Sequence, residues 1–510
     1  MNFKALQEKF NDMEYFKRNF FSEEANRQAD GSSPKKLDGK NYIDFTSVVL
    51  KKIDWFPEGL AYEMNISKEI IKKNPGLKRI QRFITHCSDA GFLTRQELVS
   101  MLPPLFLDIK ESDMVLDMCA APGSKTSQMI EAQLAQAEGK PTIFLNGGVV
   151  ANDADSKRAY MLTHQLQRID ASGMLVVNHE GQFLPSFKKE KSDGHNEKFH
   201  FDKVLADVPC SGDGAIRKLP QKWRGWSSRD CCGLHPLQIS ILERAIQLTK
   251  VDGLVVYSTC SLNPIENEAV VSDVLSRANK ESPGSLELVD IHGRYPGLIS
   301  RKGIDHWSML LEKSEMKQFK TGDSKAYKAE DLFDIVNTYE EGLGLKSNHN
   351  LKGIVYFYLA SMFAPDSKVL RDEQKIQYTM RIMPEDQDTG GFYVALFKKN
   401  AHIAFRKAEE PQAEGDEQKS MQKTKLNDGT SHSGSIDDQT MIAPDKNAPI
   451  KIEKEKKGGY RVPKVDYLPF TEKYMKEWEA IRDLYGFEDV CFLLTLEYQR
   501  ELVCEYRRIQ

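Results

Sequence analysis

Two kinds of apolar pattern alternate along the middle of this chain. Short unbroken apolar runs read as strands buried on both faces. They are Met114–Met118, Val149–Asn152, Met174–Val177, Asp202–Ala206, Leu254–Tyr257 and, late in the chain, Phe392–Phe397 behind Gly390-Gly391. Between them lie stretches with helical spacing, Ser124–Ala137, Ser156–Arg168 and Pro236–Lys250, the last with Ile239, Leu242 and Ile246 on one face. Strands alternating with helices predict an α/β fold, with helices covering both faces of a mostly parallel sheet. Such sheets bind ligands outside the carboxyl ends of their strands. The polar clusters of this chain fall at those ends.

The same pattern divides the chain. Residues 1–95 are charged and helix-like, with a Ser/Pro/Gly break at Gly31–Pro34, and 96–400 form the α/β domain. Residues 401–459 turn to Lys, Glu, Gln, Asp and Ser and read as a disordered charged linker. Aromatic and leucine residues return in 460–510, enough for a small C-terminal module. With 510 residues, 40% hydrophobic and 9% aromatic, the chain can build at least one large core. Its net charge of -4 means that nucleic acid would have to meet local basic patches. No apolar run reaches the ~18 residues of a membrane span, and the N-terminus MNFKALQEKFNDMEYFKRNF lacks the apolar core of a secretion signal. Eight cysteines without a C-x-x-C pair, two of them adjacent at Cys231 and Cys232, fit reduced thiols in cytosol or nucleus and no metal site.

The first strand runs into Asp117-Met-Cys-Ala-Ala-Pro-Gly-Ser-Lys-Thr126. A tight loop of small residues entering a helix lets backbone amides approach an anionic or polar group. It is neither a P-loop nor a G-x-G-x-x-G fingerprint. Asp153, ending the second strand, is placed to accept hydrogen bonds from ribose hydroxyls, and the insertion Glu138–Gly148 explains its long separation from the loop. Glu180, after the third strand, is a candidate for the adenine side or equally a solvated loop acid.

Two further strand ends carry thiols, Asp207-Val-Pro-Cys210-Ser-Gly-Asp-Gly and Ser258-Thr-Cys260-Ser, and are expected to be neighbours facing one cleft. Cytosine carbon 5 is a poor nucleophile, and a thiolate adding to carbon 6 turns the ring into an enamine that can take a methyl group. One cysteine attacks and a second group assists release. Asp207 can stabilise ring nitrogen 3, and Lys125 can lower a thiol pKa. A buried cysteine is ordinarily an inert small hydrophobe. Two in polar Gly/Ser/Thr loops at the ligand end of a sheet shift the balance to chemistry.

DMCAAPGSKTSQ (117–128), DVPCSGDG (207–214) and YSTCSLNPIENEAVV (257–271) resemble the Sun family of RNA cytosine-5 methyltransferases. WFPEGLAYEMNISKEII (55–71), RQELVSMLPPLFLDI (95–109), VVANDADSKRAYMLTHQ (149–165) and TGGFYVALFKK (389–399) resemble its eukaryotic tRNA branch, so the likeness spans roughly Lys52 to Lys399. The resemblance implies a Rossmann-like methyltransferase domain with a seven-stranded, mostly parallel sheet and S-adenosylmethionine as cofactor. It implies that Cys260 attacks the base and Cys210 serves product release. Cys119, Ala120, Ala121, Pro122, Gly123, Ser124 and Lys125, with Asp153, the Glu180 position and Asp207, would bind the cofactor. The family usually has Asp where this chain has Glu180. An upstream Leu-Pro-x-x-Phe-Arg segment is not found and the C-terminal region is short, so weaker tRNA affinity with unchanged chemistry is expected.

An RNA partner, tRNA in particular, needs a surface. Lys68, Lys72, Lys73, Lys78, Arg79 and Arg82 interleave with Ile70, Ile71, Leu77, Ile80 and Phe83, an amphipathic helical pattern with a basic outer face. Arg217, Lys218, Lys222, Trp223, Arg224, Trp226 and Arg229 follow the Pro-Cys loop and suit phosphate contact and base stacking, or loop anchoring. The target base must leave its stack to reach a thiol, at a cost of a few kcal/mol. A monomer, without membrane or metal partners, is expected. The basic tracts KKEK (188–191) and KIEKEKK (451–457) leave nucleus and cytosol open, with the nucleus as the expectation. Two other functions compete: a DNA cytosine-5 methyltransferase, which would attack with the Pro-Cys thiol, and a non-catalytic RNA-binding protein on the same fold.

Overall fold

The computed structural model describes residues 51–405, apart from 65, 67, 74, 138–145, 170, 172, 191–194, 217–226, 313–332 and 343–357. Most of the expected N-terminal region, nearly all of the linker and the whole C-terminal module lie outside the described residues. The α/β domain is built on strands β1 (Met114–Asp117), β2 (Gly148–Asn152), β3 (Met174–Val177), β4 (Phe201–Asp207) and β5 (Thr249–Thr259). Its main helices are α1 (Ser124–Gln136), α2 (Ser156–Leu166), α3 (Ser228–Leu248) and α4 (Glu268–Glu281). Four short or late strands follow: β6 (Leu286–Leu288), β7 (Arg301–Lys302), β8 (Met380–Ile382) and β9 (Phe392–Lys399).

Strand order across the sheet is β7-β8-β9-β5-β4-β1-β2-β3, with β6 alongside β9. β3, β2, β1, β4 and β5 are parallel to one another, and β6, β7, β8 and β9 add antiparallel pairings. The sheet therefore has nine strands rather than seven. Three of them, β6, β7 and β8, are not among the six runs read above; they are three, two and three residues long, too short for an apolar pattern to mark them in the sequence.

Both faces of the sheet are buried, which is why its strands read as continuous apolar runs. Leu116, Val204, Val255 and Tyr257 turn to one side, where Ile239, Leu242 and Ile246 of α3 and Val270 and Val274 of α4 pack. Val115, Leu205 and Val256 turn to the other, against Leu162 and Leu166 of α2 and Phe106. Strand order reverses between β1 and β4, and this switch point opens a crevice at the carboxyl ends of those two strands. Asp117 and Asp207 are their last residues.

Two elements differ from expectation. Helix α3 begins at Ser228 and carries Pro236 inside it, rather than starting at Pro236. Ser227 caps it by accepting from the Arg229 amide, and buried Cys231 anchors its first turns, which outweighs the amide that proline lacks. The basic amphipathic stretch is two helices, Lys68–Lys73 and Pro75–Asp89, because Pro75 favours an extended residue before it. Ile71, Leu77 and Ile80 form its buried side, while Lys72, Lys78 and Arg82 are exposed. Among the described residues no helix is long and apolar enough to cross a membrane.

Candidate active site

The loop after β1 meets α1 at Gly123, whose φ of 106° is a left-handed conformation that glycine tolerates. A Cβ there would come within 2.8 Å of Leu162 Cδ1, so glycine also lets the loop lie against α2. The first amides of α1 lack intrahelical acceptors by the geometry of any helix start, which leaves Ser124 and Lys125 able to receive an acceptor group. Beneath the loop Asp117 is 1% exposed and accepts from Thr126 Oγ1 at 2.7 Å. Its Oδ1 is buried without a hydrogen-bond partner. Burial pushes the Asp117 carboxyl up to about 7, against the Thr126 hydrogen bond and with help from the charge of Asp207. A buried, under-satisfied carboxylate beside amide-lined small residues fits a polar ligand carrying both a cation and an acid, as the amino-acid end of S-adenosylmethionine does.

Asp117 also makes a pH prediction. Its folded pKa lies above the ordinary value of 3.8, so the unfolded chain releases this proton first and stability falls as pH rises between about 4 and about 7. Urea unfolding at pH 5 and pH 8 should show wild type losing roughly 2–3 kcal/mol more than Asp117→Asn. Equal losses would refute the assignment.

Asp153 ends the β2 segment, as expected, and is 2% exposed. Its oxygens accept from the Ala121 amide at 3.2 Å and the Asp155 amide at 3.1 Å, and Arg158 Nη2 lies 3.4 Å away. Arg158 Nη2 also donates to the Ala121 carbonyl at 2.6 Å. Asp153 thus grips the small-residue loop from the side. Glu180 is exposed after β3, with Gln182 Nε2 donating to it at 2.8 Å. The sequence reading missed Asn152 and Asn178. Asn152 Nδ2 donates to the carbonyls of Met118 and His179 and its Oδ1 accepts from the His179 amide, each at 2.9 Å. Asn178 Nδ2 donates to the Asp153 carbonyl at 2.6 Å. The loops after β1, β2 and β3 are laced together in this way. Asparagine directly at a strand end was the signal available.

β4 and β5 pair in parallel register through Asp207 and Ser258, which carries Cys210 and Cys260 to one place. Their sulfurs are 3.3 Å apart. Both residues are half-buried. The hydrogen bond with Cys260, then burial, then the negative charges of Cys260, Glu266 and Asp207 raise the Cys210 thiol well above its ordinary value. Cys119 is different: burial among Asp117, Asp207 and Asp153 pushes its thiol far up and leaves it inert.

Lys125 Nζ and Asp207 Oδ2 are 2.7 Å apart, and Ser258 Oγ donates to Asp207 Oδ1 at 2.6 Å. Burial works against the Lys125 charge, but Asp207 and then Asp117 and Cys260 outweigh it, and its pKa stands above the ordinary value. The ammonium is 5.5 Å from the centre of the Phe392 ring, which screens it from solvent on that side. The charge of Cys260 is among the interactions that hold Lys125 protonated, so a fixed cation acts on that sulfur, the setting that favours a thiolate.

The loop after Cys210 is pinned by glycine contacts. The Gly214 amide donates to the Cys260 carbonyl at 3.0 Å, and the Gly391 amide to the Gly214 carbonyl at 2.9 Å. A Cβ on Gly214 would fall 2.5 Å from the Gly391 oxygen and 2.7 Å from the Cys260 oxygen. Gly214→Ala must push these backbones apart. It should lower stability by about 1–3 kcal/mol and slow reaction of the Cys260 thiol with an alkylating reagent or substrate at least tenfold. Wild-type reactivity in that variant would show that the glycine contact does not hold the Cys260 thiol. Of the basic and aromatic residues after this loop, Arg229 is described, half-buried at the start of α3. Arg217, Lys218, Lys222, Trp223, Arg224 and Trp226 lie outside the described residues.

Residues 104–301 match the family described as 16S rRNA methyltransferase RsmB/F. The chain is 41% identical over 369 residues to the multisite-specific tRNA:(cytosine-C(5))-methyltransferase trm4b of Schizosaccharomyces pombe, covering 69% of this chain and 49% of that protein. It is 39% identical over 349 residues to the multisite-specific tRNA:(cytosine-C(5))-methyltransferase of Saccharomyces cerevisiae, covering 68% and 45%. It is 38% identical over 355 residues to the tRNA (cytosine(34)-C(5))-methyltransferase of Drosophila melanogaster, covering 70% and 43%. The chain spans about half the length of the curated relatives it matches. With these relatives, and with the RsmB/F match lying across the strands that carry both thiols, the chain belongs to the Sun family of RNA cytosine-5 methyltransferases.

Proposed function

We propose that this protein methylates carbon 5 of cytosine in RNA, with tRNA as substrate, using S-adenosylmethionine and covalent catalysis by Cys260. The observation that carries the reading is the 3.3 Å approach of the Cys210 and Cys260 sulfurs beside the Lys125–Asp207 pair. A single structural cysteine needs no such company. The tRNA part rests on the three eukaryotic relatives, whose names specify tRNA.

When bound, S-adenosylmethionine supplies an electrophilic methyl group. The loop Cys119–Lys125 and Asp207 are the residues that would hold it, with Asp153 supporting the loop and Glu180 at its outer side. Cys260, in the field of the Lys125 ammonium, attacks as a thiolate and forms a bond to ring carbon 6, and the carbon 5–carbon 6 double-bond electrons become available at carbon 5. Asp207, fixed between Lys125 and Ser258, passes a proton from the Lys125 ammonium to ring nitrogen 3 as negative charge builds there, and takes it back when the double bond reforms. After methylation the carbon 5 proton leaves to a base, the double bond reforms, and Cys260 departs as a thiolate. Cys210, 3.3 Å away, assists that departure. The exposed basic face of Lys72, Lys78 and Arg82 supplies phosphate contacts.

Unmodified tRNA transcripts incubated with the protein and methyl-labelled S-adenosylmethionine should acquire label that bisulfite sequencing places at cytosines. No label in RNA from a protein that binds the cofactor would sink the proposal. Label in DNA instead would favour the Pro-Cys thiol as nucleophile.

A further inference from the structure

Glu266 takes no part in the steps above, yet its carboxylate joins the two cysteine loops. It is fully buried. Its Oε1 accepts from the Ser211 amide at 2.8 Å and from Gln238 Nε2 at 3.0 Å. Its Oε2 accepts from Ser211 Oγ at 2.5 Å and from Ser261 Oγ at 2.6 Å. Ser211 directly follows Cys210, and Ser261 directly follows Cys260. Gln238 Nε2 also donates to the Pro209 carbonyl at 2.9 Å, so Cys210 is held on both flanks by Glu266 and its partner.

The placement has a structural cause. Parallel pairing of β4 and β5 ends at Asp207 and Ser258, and beyond it the thiol-bearing segments leave the ladder. Glu266 ties them together again where the ladder no longer can. The carboxylate is itself fixed at its base, since Tyr257 Oη donates to the Glu266 carbonyl at 2.5 Å. The next residue continues the clamp: Thr259 Oγ1 donates to Asn267 Oδ1 at 2.6 Å, and Asn267 Nδ2 donates to the Ser261 carbonyl at 2.9 Å. Cys260 is thus held on both flanks as well. Glu268, one residue further, pairs with Arg381, whose Nη1 donates to the Leu262 carbonyl at 2.8 Å.

We propose that Glu266 is the positioning residue of the two-cysteine site, setting the separation of the Cys210 and Cys260 sulfurs by accepting hydrogen bonds from Ser211 and Ser261 on one carboxylate. That this separation lets both thiols serve one pyrimidine ring rests on the function proposed above. A carboxylate acceptor suits the task because four donors converge on two oxygens, and charge-assisted hydrogen bonds are short and strong.

Sulfur separation can be read without catalysis. Diamide oxidises two adjacent thiols to a disulfide, its N=N bond taking both hydrogens and both electrons to become a hydrazine. A disulfide needs the sulfurs within about 2.05 Å, so the rate of Cys210–Cys260 cross-linking reports how the loops hold them. In the full chain, followed by peptide mapping, wild type should cross-link readily and Glu266→Ala at least tenfold more slowly. Glu266→Gln should stay within threefold, because the amide oxygen still accepts from Ser211 and Gln238 while the serine hydroxyls turn to accept from its NH2. Should Glu266→Ala not yield folded protein, Ser211→Ala/Ser261→Ala removes the two hydroxyl donors and should slow cross-linking severalfold. Wild-type rates in Glu266→Ala, or in the double-serine variant, overturn the proposal. Cross-linking that depends on Glu266 in a protein that fails to methylate RNA would support the positioning role and defeat the functional reading. Where both hold, Glu266→Ala should lower kcat at least a hundredfold and leave KM for S-adenosylmethionine within threefold.

Discussion

Cys260→Ala should lose RNA methylation by roughly a thousandfold or more and form no covalent complex, whereas Cys210→Ala should accumulate a stalled enzyme–RNA adduct on a denaturing gel. The asymmetry follows from the different roles proposed for the two sulfurs. Its hydrogen bond with Cys260, its burial and its anionic neighbours hold the Cys210 thiol well above its ordinary value. Cys260 is the attacking sulfur in the proposed mechanism, and its charge interacts with the Lys125 ammonium. In that mechanism, removing Cys260 leaves no nucleophile for carbon 6. Without Cys210 attack still proceeds, but the neighbour 3.3 Å from the bonded sulfur is gone when that sulfur must leave. Adducts from Cys260→Ala and none from Cys210→Ala would reverse the assignment and place the attacking thiol in the Pro-Cys loop.

Lys125→Met should come next in severity, with kcat falling on the order of a hundredfold or more. The methionine keeps most of the stem that packs near Phe392 but removes the charge facing Cys260 and leaves Asp207 with Ser258 alone. The side chains of the pair are 13% and 26% exposed. Solvent therefore screens the loss, and stability should drop by only about 1–2 kcal/mol, less than a fully buried pair would cost. Asp207→Asn should damage activity similarly, and the double variant should be less impaired than the product of the two single effects, because the residues act as one unit. The measurement is thiolate absorbance of Cys260 near neutral pH, alongside turnover. An unchanged Cys260 titration in Lys125→Met would show that the lysine serves the cofactor loop alone.

Some parts of the site legible in the sequence sit where backbone geometry demands an unusual residue. Gly123 occupies a left-handed turn against α2, and Gly214 and Gly391 touch backbone to backbone. The strands were legible because both sheet faces are buried, which turns each into an apolar run such as Leu254–Tyr257. What escaped notice depends on long-range pairing. Glu266 and Asn267 lie in PIENEAVV, which in one dimension reads as the polar entry of helix α4, and only folding brings Ser211 to Glu266 and Thr259 to Asn267. Asp117 looks like any strand-ending acid until Thr126 takes one oxygen and burial isolates the other. Likewise β6 and β7 exist because β9 and β8 offer edges to pair with, not because three or two residues can announce a strand.

The claim beneath all of this is a transient bond between sulfur and pyrimidine, and trapping that bond tests it most directly. An RNA carrying 5-fluorocytosine at a methylated position cannot release a proton from carbon 5, so the adduct should persist after methyl transfer. Peptide mapping of the trapped complex should place the nucleotide on Cys260. A nucleotide on Cys210, or methylated RNA with no adduct at either sulfur, would contradict the account.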